Sequence, residues 1–261
     1  MHEGRHVSRA SRFEGASFYR MSETDPLRNV RVVLCETSHP GNIGAAARAM
    51  KTMGLYDLHL VAPRAFPDRQ AQWRAARAMD VLERATVHTT LDDALCGTAF
   101  VVACSARTRE MAVPATGARE AAARAIEVAR TQQTALVFGN ETFGLTTEQV
   151  NKCGLLAAIP ANPEYPALNL AAAVQVFAYE LRLASLGTPG PAPERELAAH
   201  EEVEGFYRHL ETVMADIGFL DPEHPKKLMP RLRRLFARAG LEREEVNILR
   251  GLLKGLSRPR R

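Results

Sequence analysis

Residues 30–62 read VRVVLCETSHPGNIGAAARAMKTMGLYDLHLVA. The segment VRVVLC (30–35) is almost continuously apolar and rich in valine, as a strand buried on both faces must be. After a polar loop, IGAAARAMKTM (43–53) reads as a helix, closed by Gly54 as a C-cap. LHLVA (58–62) is the next strand. A strand, a helix and a strand in so short a span predict a parallel crossover.

The same alternation continues outward. DRQAQWRAARAMDVL (68–82) is helical, a short strand is expected near 85–88, and a short helix at 91–96. TAFVVAC (98–104) is a strand, GAREAAARAIEVAR (117–130) a helix and TALVFG (134–139) a strand. LLAAIP (155–160) is a further strand after a brief helical turn, and a long helix runs from Asn169 to about Leu186. The expected fold is α/β, a mostly parallel sheet with helices on both faces. GTPGPAPE (187–194) has the composition of a linker. Beyond it, helices are expected at roughly 194–217, 226–239 and 242–255. The predicted organisation is therefore a flexible N-terminal extension (1–27), an α/β domain (28–187), a linker (188–194) and a small helical extension (195–261).

Hydrophobic residues make up 46% of the 261 positions, enough to build a full core. No apolar run reaches the ~18 residues of a membrane span, and residues 1–21 lack the apolar stretch of a secretory signal. Met21 would also serve as a start. The four cysteines have no C-x-x-C spacing, which argues against zinc or a disulfide framework and for a reducing, cytoplasmic setting. The net charge of +4 is unevenly divided. Residues 226–261 hold 12 Lys/Arg against 3 Asp/Glu, so the first 225 are acidic by five charges. A basic tail on a mildly acidic body fits a polyanionic partner such as nucleic acid, or a solvated helical surface.

Three loops follow strand ends, where parallel α/β sheets bind ligands. In ETSHPGNIGAAARAM (36–50), Gly41 and Gly44 permit close backbone approach and Asn42 can cap the helix. Arg48 lies one turn past Gly44 among alanines, either as an ordinary surface arginine or as a cation with room for a ligand. In VFGNETFGL (137–145), Gly139 can expose backbone groups, and Glu141 can pair with Arg48 or orient Asn42. In NPEYPALNLAAAVQ (162–175), the prolines stiffen the loop and Asn169 is placed to cap the long helix. His39 sits in the first loop as a solvated or substrate-facing residue. There is no G-x-G-x-x-G after a strand, no Walker loop, no G-x-S-x-G and no H-E-x-x-H.

Together these segments resemble the SpoU/TrmH branch of the SPOUT RNA methyltransferases. NIGAAAR matches the first motif of that family, N-x-G-x-x-x-R; VFGNETFGL is similar to the second and IPANPEYPALNLAAAVQ to the third. The wording of the first and third motifs and CSARTR (104–109) looks most like the TrmJ group, which methylates the ribose 2′-hydroxyl of tRNA nucleotide 32. The resemblance covers residues 29–186 well and the tail loosely.

The resemblance implies a trefoil knot near the end of the catalytic domain, S-adenosylmethionine as cofactor, and an obligate homodimer. It places Arg48, Asn42, Glu141 and Asn169 in the catalytic apparatus. Cys104, Ser105, Ala106, Gly139, Ile159, Pro166, Ala167 and Leu168 then wall the cofactor. The family serine of the third motif is Ala167 here, so no hydroxyl role carries over. Arg48 would grip a phosphate and stabilise the forming alkoxide; a guanidinium is a poor general base. Arg107 is assigned to RNA or to a surface ion pair. In the tail, Arg231, Arg234 and Arg238 fall on one helical face and are expected to meet tRNA. Leu228, Leu232, Leu235, Phe236 and Ala239 fall on another, expected to dock. Methylation of rRNA, or a non-catalytic RNA-binding role on the same fold, remain open at this stage. The uncharged stretch from Leu168 to Tyr179 fits a subunit interface, completed by the helix at 43–53, or an internal core helix.

Overall fold

The computed structural model describes residues 25–106, 113–187 and 196–257. Arg107, the linker at 188–194 and all but the last three residues of the 1–27 extension lie outside them. The strands are β1 (Val30–Cys35), β2 (Asp57–Val61), β3 (Thr86–His88), β4 (Thr98–Cys104), β5 (Ala115–Gly117), β6 (Gln133–Phe138) and β7 (Leu155–Ala158). They form one sheet in the order β3-β2-β1-β6-β4-β7-β5, each neighbouring pair parallel. The helices of the body are α1 (Pro40–Thr52), α2 (Arg69–Ala75), α3 (Met79–Glu83), α4 (Leu91–Leu95), α5 (Ala118–Ala129), α6 (Thr147–Asn151) and α7 (Leu170–Leu186). Then come α8 (His200–Asp216), α9 (Leu228–Ala239) and α10 (Arg243–Leu256).

The apolar strands are buried on both faces because alternate residues enter opposite cores. In β1, Val30, Val32 and Leu34 join the core beneath α1, α5 and α7. Val33 and Cys35 join the smaller core shared with α4 and α6. β4 splits in the same way: Phe100, Val102 and Cys104 face one side, Val101 and Ala103 the other. Since all strands are parallel, the loops after β1, β4, β6 and β7 emerge at one edge. β6 lies between β1 and β4, and β7 between β4 and β5, so late strands are inserted between earlier ones.

Three local expectations are corrected. The helix expected over 68–82 is broken: Ala76 takes φ 49°, and a 3-10 turn (Ala76–Ala78) separates α2 from α3. β5 was not foreseen; its three residues begin just before the predicted helix at 117. The body also starts before residue 28. Leu27 is 1% exposed, and Asp25 caps the 3-10 turn Pro26–Asn29 and pairs with Arg182 at 3.6 Å.

The C-terminal helices have their own small core of Phe206, Tyr207, Val213, Val246 and Leu253. They dock at the end of the sheet where the strands begin. Gln132 and Leu197 exchange two hydrogen bonds, and Asp92 holds both His200 (3.2 Å) and Lys152 (2.8 Å). Arg233 of α9 is half-buried, doubly bonded to Glu204 and stacked 4.3 Å over Tyr207. Burial alone would disfavour the charged guanidinium; the Glu204 carboxylate outweighs it and raises the Arg233 pKa. Phe236 packs on Phe206 as its predicted face requires, but Leu235 is 50% exposed and not docked.

Candidate functional site

The three motif loops meet at the carboxyl edge of the sheet, where one chain of side-chain hydrogen bonds runs through them. Asn42 donates from Nδ2 to Glu141 Oε1 (2.8 Å). Asn169 donates from Nδ2 to Asn42 Oδ1 (3.0 Å). Glu141 also accepts the backbone N–H groups of Ser38 (2.8 Å) and His39 (3.2 Å). Burial tends to raise the Glu141 carboxyl, but the hydrogen bonds from Asn42, Ser38 and His39 outweigh it, and its pKa lies below the ordinary glutamate range. Glu141 therefore orients Asn42, one of the two roles the sequence allowed it.

Asn42 does not cap its helix. α1 begins at Pro40 with His39 as N-cap, and the Asn42 side chain bonds the other two motifs instead. Asn169 does cap: its Oδ1 accepts the Ala171 N–H at 2.9 Å while its amide reaches back to Asn42. One residue thus fixes the start of α7 and ties it to α1. Asn140, which the sequence reading passed over, completes the clamp. It donates to the Glu36 carbonyl and to Ser38 Oγ, both at 2.7 Å, and accepts from Thr142 N at 2.8 Å. Its position beside Glu141 in the second motif was the available signal.

Two glycines have steric reasons. A Cβ on Gly44 would overlap the backbone carbonyl of Ala71, so α1 and α2 touch backbone to backbone. A Cβ on Gly139 would overlap Gly144 and Leu145 where the loop after β6 doubles back.

A cleft beside the hydrogen-bond chain is lined by every one of the expected cofactor residues: Cys104, Ser105, Ala106, Gly139, Ile159, Pro166, Ala167 and Leu168. Asn140, Glu141, Thr142 and Gly144 line it as well, and α7 contributes Leu170, Ala173 and Phe177. These α7 residues were missed, although their spacing of three and four marks an inward face. Burial holds the Cys104 thiol well above its usual pKa, so it is a neutral wall group. The mixture suits a ligand with a flat apolar part and a cationic centre: small and apolar walls, exposed loop backbone, and one carboxylate at the rim. A larger cleft, about 330 Å³, lies instead between the body and the C-terminal helices and includes Thr98, Gly154, Arg234 and Arg238.

Arg48 is exposed on α1, and among the described residues no carboxylate pairs with it. His39 is also exposed. Arg231, Arg234 and Arg238 are all exposed on α9, sharing a face as expected. They are not next to the cofactor cleft. Arg234 and Arg238 line a cleft with Thr98, at the start of β4, whereas Cys104 at its end lines the other. Along β4 the two linings come as near as Val101 and Cys104, about 10 Å apart.

Residues 29–179 match the SpoU rRNA Methylase family, and residues 201–261 match the tRNA methyltransferase TrmJ C-terminal domain. The chain is 48% identical over 238 residues to the tRNA (cytidine/uridine-2′-O-)-methyltransferase TrmJ of Yersinia pestis (strain Pestoides F), covering 89% of this chain and 93% of that protein. It is 48% identical to the protein of the same name from Cronobacter sakazakii, covering 90% and 98%. The crystal structure of TrmJ from Z. mobilis superposes with a TM-score of 0.78 at 33% identity, over 87% of this chain and 99% of that one. A probable methylase family protein from Haemophilus influenzae gives 0.60 at 41% identity, over 88% and 96%. Body and tail match in the same order as in these relatives, and the chain belongs to the SpoU methylase family, in its TrmJ group.

Proposed function

We propose that the protein transfers a methyl group from S-adenosylmethionine to the ribose 2′-hydroxyl of a pyrimidine in tRNA, at nucleotide 32 of the anticodon loop. The observation that carries this reading is the union of the three motifs. Asn42, Glu141 and Asn169 form one hydrogen-bonded chain at the mouth of a cleft that collects all eight expected cofactor residues. The match of the tail to the TrmJ C-terminal domain favours tRNA over rRNA.

The bound cofactor supplies a methyl group already activated by its sulfonium charge. What remains for this chain is positioning, which can supply up to ~7–11 kcal/mol in well-oriented reactions. Cys104, Ile159 and Leu168 would exclude water on the apolar side of the bound cofactor, and Glu141 would supply negative charge to complement its cationic centre. Ala167 and Leu168 offer backbone groups; position 167 has no hydroxyl to contribute. Arg48, with no acid to satisfy it among the described residues, meets a phosphate of the incoming RNA and stabilises charge growing on the attacking oxygen. The α9 arginines line a separate cleft, so a substrate that meets both sites must be extended, as tRNA is.

The active species is a homodimer in the cytoplasm. The outer face of α7 supports this: Ala172, Val176, Tyr179, Leu183 and Leu186 recur at intervals of four and three, the spacing of a helix–helix seam. Tyr179, Leu183 and Leu186 are 48%, 42% and 55% exposed, while Leu170, Val174, Phe177 and Leu181 fill the chain's own core. α7 thus has both an internal and an outward apolar face. The trefoil knot belongs to the same proposal, supported by the insertion of β6 and β7 between earlier strands.

Mapping by mass spectrometry after methylation in vitro tests the position. tRNA carrying C or U at nucleotide 32 should gain one ribose methyl there. A methyl elsewhere in tRNA, or on rRNA alone, contradicts the assignment.

A further inference from the structure

α2 and its flanks carry a charge pattern that the site above does not use. Residues 62–79, APRAFPDRQAQWRAARAM, contain four arginines and one acid. The acid, Asp68, is engaged: it caps α2 by accepting the Gln70 N–H at 2.7 Å. Arg64, Arg69, Arg74 and Arg77 are exposed, and none has a carboxylate partner among the described residues. Between them stands Trp73, the only tryptophan of the chain, 78% exposed. A soluble surface has no packing reason to present a tryptophan so fully.

The place of this patch decides its meaning. Arg74 lies over the first turn of α1, its Cγ 3.6 Å from where a Cβ on Gly41 would stand. Asn42 is the next residue. Arg64 donates its backbone N–H to the Thr37 carbonyl at 3.1 Å, in the loop that Glu141 clamps. The backbone contact between Gly44 and Ala71 fixes α2 against the helix that carries Arg48. Arg64, Arg69 and Arg74 are therefore held beside the reacting end of the sheet, where the α9 arginines are not, and Arg77, whose carbonyl accepts Lys51 Nζ at 2.8 Å, extends the patch toward the last turn of α1.

We propose that Arg64, Arg69, Arg74 and Arg77 bind the phosphates of the substrate RNA flanking the methylated nucleotide, and that Trp73 stacks on one of its unpaired bases. This rests on the reading of the protein as an RNA ribose methyltransferase. Guanidinium groups free of internal acids match backbone phosphates, and an exposed indole matches the face of an unstacked base. Arg48 continues the patch into the site. The α9 face is then a second, remote contact with the same RNA.

The test compares full-length wild type with two variants, Arg69→Gln/Arg74→Gln/Arg77→Gln and Trp73→Ala, by filter binding of unmodified tRNA at several salt concentrations. Calorimetry with S-adenosylhomocysteine checks that each variant retains its cofactor fold. The triple variant should bind tRNA at least about ten-fold more weakly, with a log–log salt slope shallower by about 2. Trp73→Ala should lose about 5- to 100-fold in affinity with the slope unchanged, since stacking releases no counterions. Unchanged affinity and slope in both variants would overturn the proposal. So would loss of dimer mass in light scattering with Trp73→Ala, which would make this face a subunit interface. If wild type binds RNA through the patch but methylates no ribose, the function proposed above fails while the patch stands.

Discussion

Replacing Asn42 with alanine severs the chain through the three motifs at its centre. Two hydrogen bonds go: the donation to Glu141 at 2.8 Å and the acceptance from Asn169 at 3.0 Å. A hydrogen bond to a charged group contributes about 1.5–3 kcal/mol and a neutral one about 1. Asn42 and Glu141 are only half-buried and Asn169 is exposed, so water recovers part of each loss. The net cost should be about 1–2 kcal/mol, a fall in Tm of about 2–8 °C for a domain of this size. The effect on rate should be larger, because the three loops no longer fix one another, and a misplacement of about 1 Å can cost 100-fold. Asn42→Asp should be worse than Asn42→Ala at neutral pH. It cannot donate to Glu141 and sets two carboxylates side by side. Acid should narrow the gap by protonating one of them. Scanning calorimetry at pH 7 and pH 5 with a methyl-transfer assay measures all of this. An Asn42→Asp protein as stable at pH 7 as Asn42→Ala, or activity of Asn42→Ala within two-fold of wild type, would refute the reasoning.

Glu141 has a depressed carboxyl pKa, so its contribution to stability is complete above the ordinary glutamate range and is lost as pH falls through the folded-state value. The Tm advantage of wild type over Glu141→Gln should therefore be largest near neutrality and shrink below about pH 4.3; a constant gap in a pH series of melts would exclude this role. Leu183→Asp places a charge in the outward seam of α7 and should yield monomers in light scattering and an inactive enzyme; an active monomer would remove the dimer from the account. Charge reversal at Arg231, Arg234 and Arg238 should weaken tRNA binding and flatten its salt slope by about 2 while leaving cofactor affinity intact, as titrations at two salt concentrations would show.

The alternating sheet was legible because buried parallel strands must be nearly continuously apolar, and β1, β4 and β6 are, apart from Arg31, Thr98, Gln133 and Thr134 at or near their first residues. β5 was not, since three residues at a sheet edge, one exposed and two half-exposed, carry no periodic signal. The break at Ala76 escaped because alanine signals helix in any window; only its φ of 49° reveals the turn. At the site, residue types announced themselves through glycines and amides at strand ends. Their partnerships did not: Asn42 as a bridge and not a cap is a fact about loops about 100 residues apart in sequence, set by β6 lying next to β1. Arg233 shows the converse. It stands in the same basic run as Arg231 and Arg234, yet a glutamate on a neighbouring helix claims it, and only the three-dimensional pairing separates the two kinds of arginine.

The central claim is that this chain methylates ribose and that Arg48 is indispensable to the transfer. The most direct measurement is nucleoside mass spectrometry of tRNA incubated with S-adenosylmethionine and either wild type or Arg48→Ala, with S-adenosylhomocysteine affinity measured in parallel. The account predicts 2′-O-methylated cytidine or uridine with wild type. With Arg48→Ala it predicts less than about a tenth of that product at nearly unchanged cofactor affinity, a loss of about 1.4 kcal/mol or more in transition-state stabilisation. Methyl on a base instead of a ribose, or an Arg48→Ala protein close to wild-type activity, would contradict it.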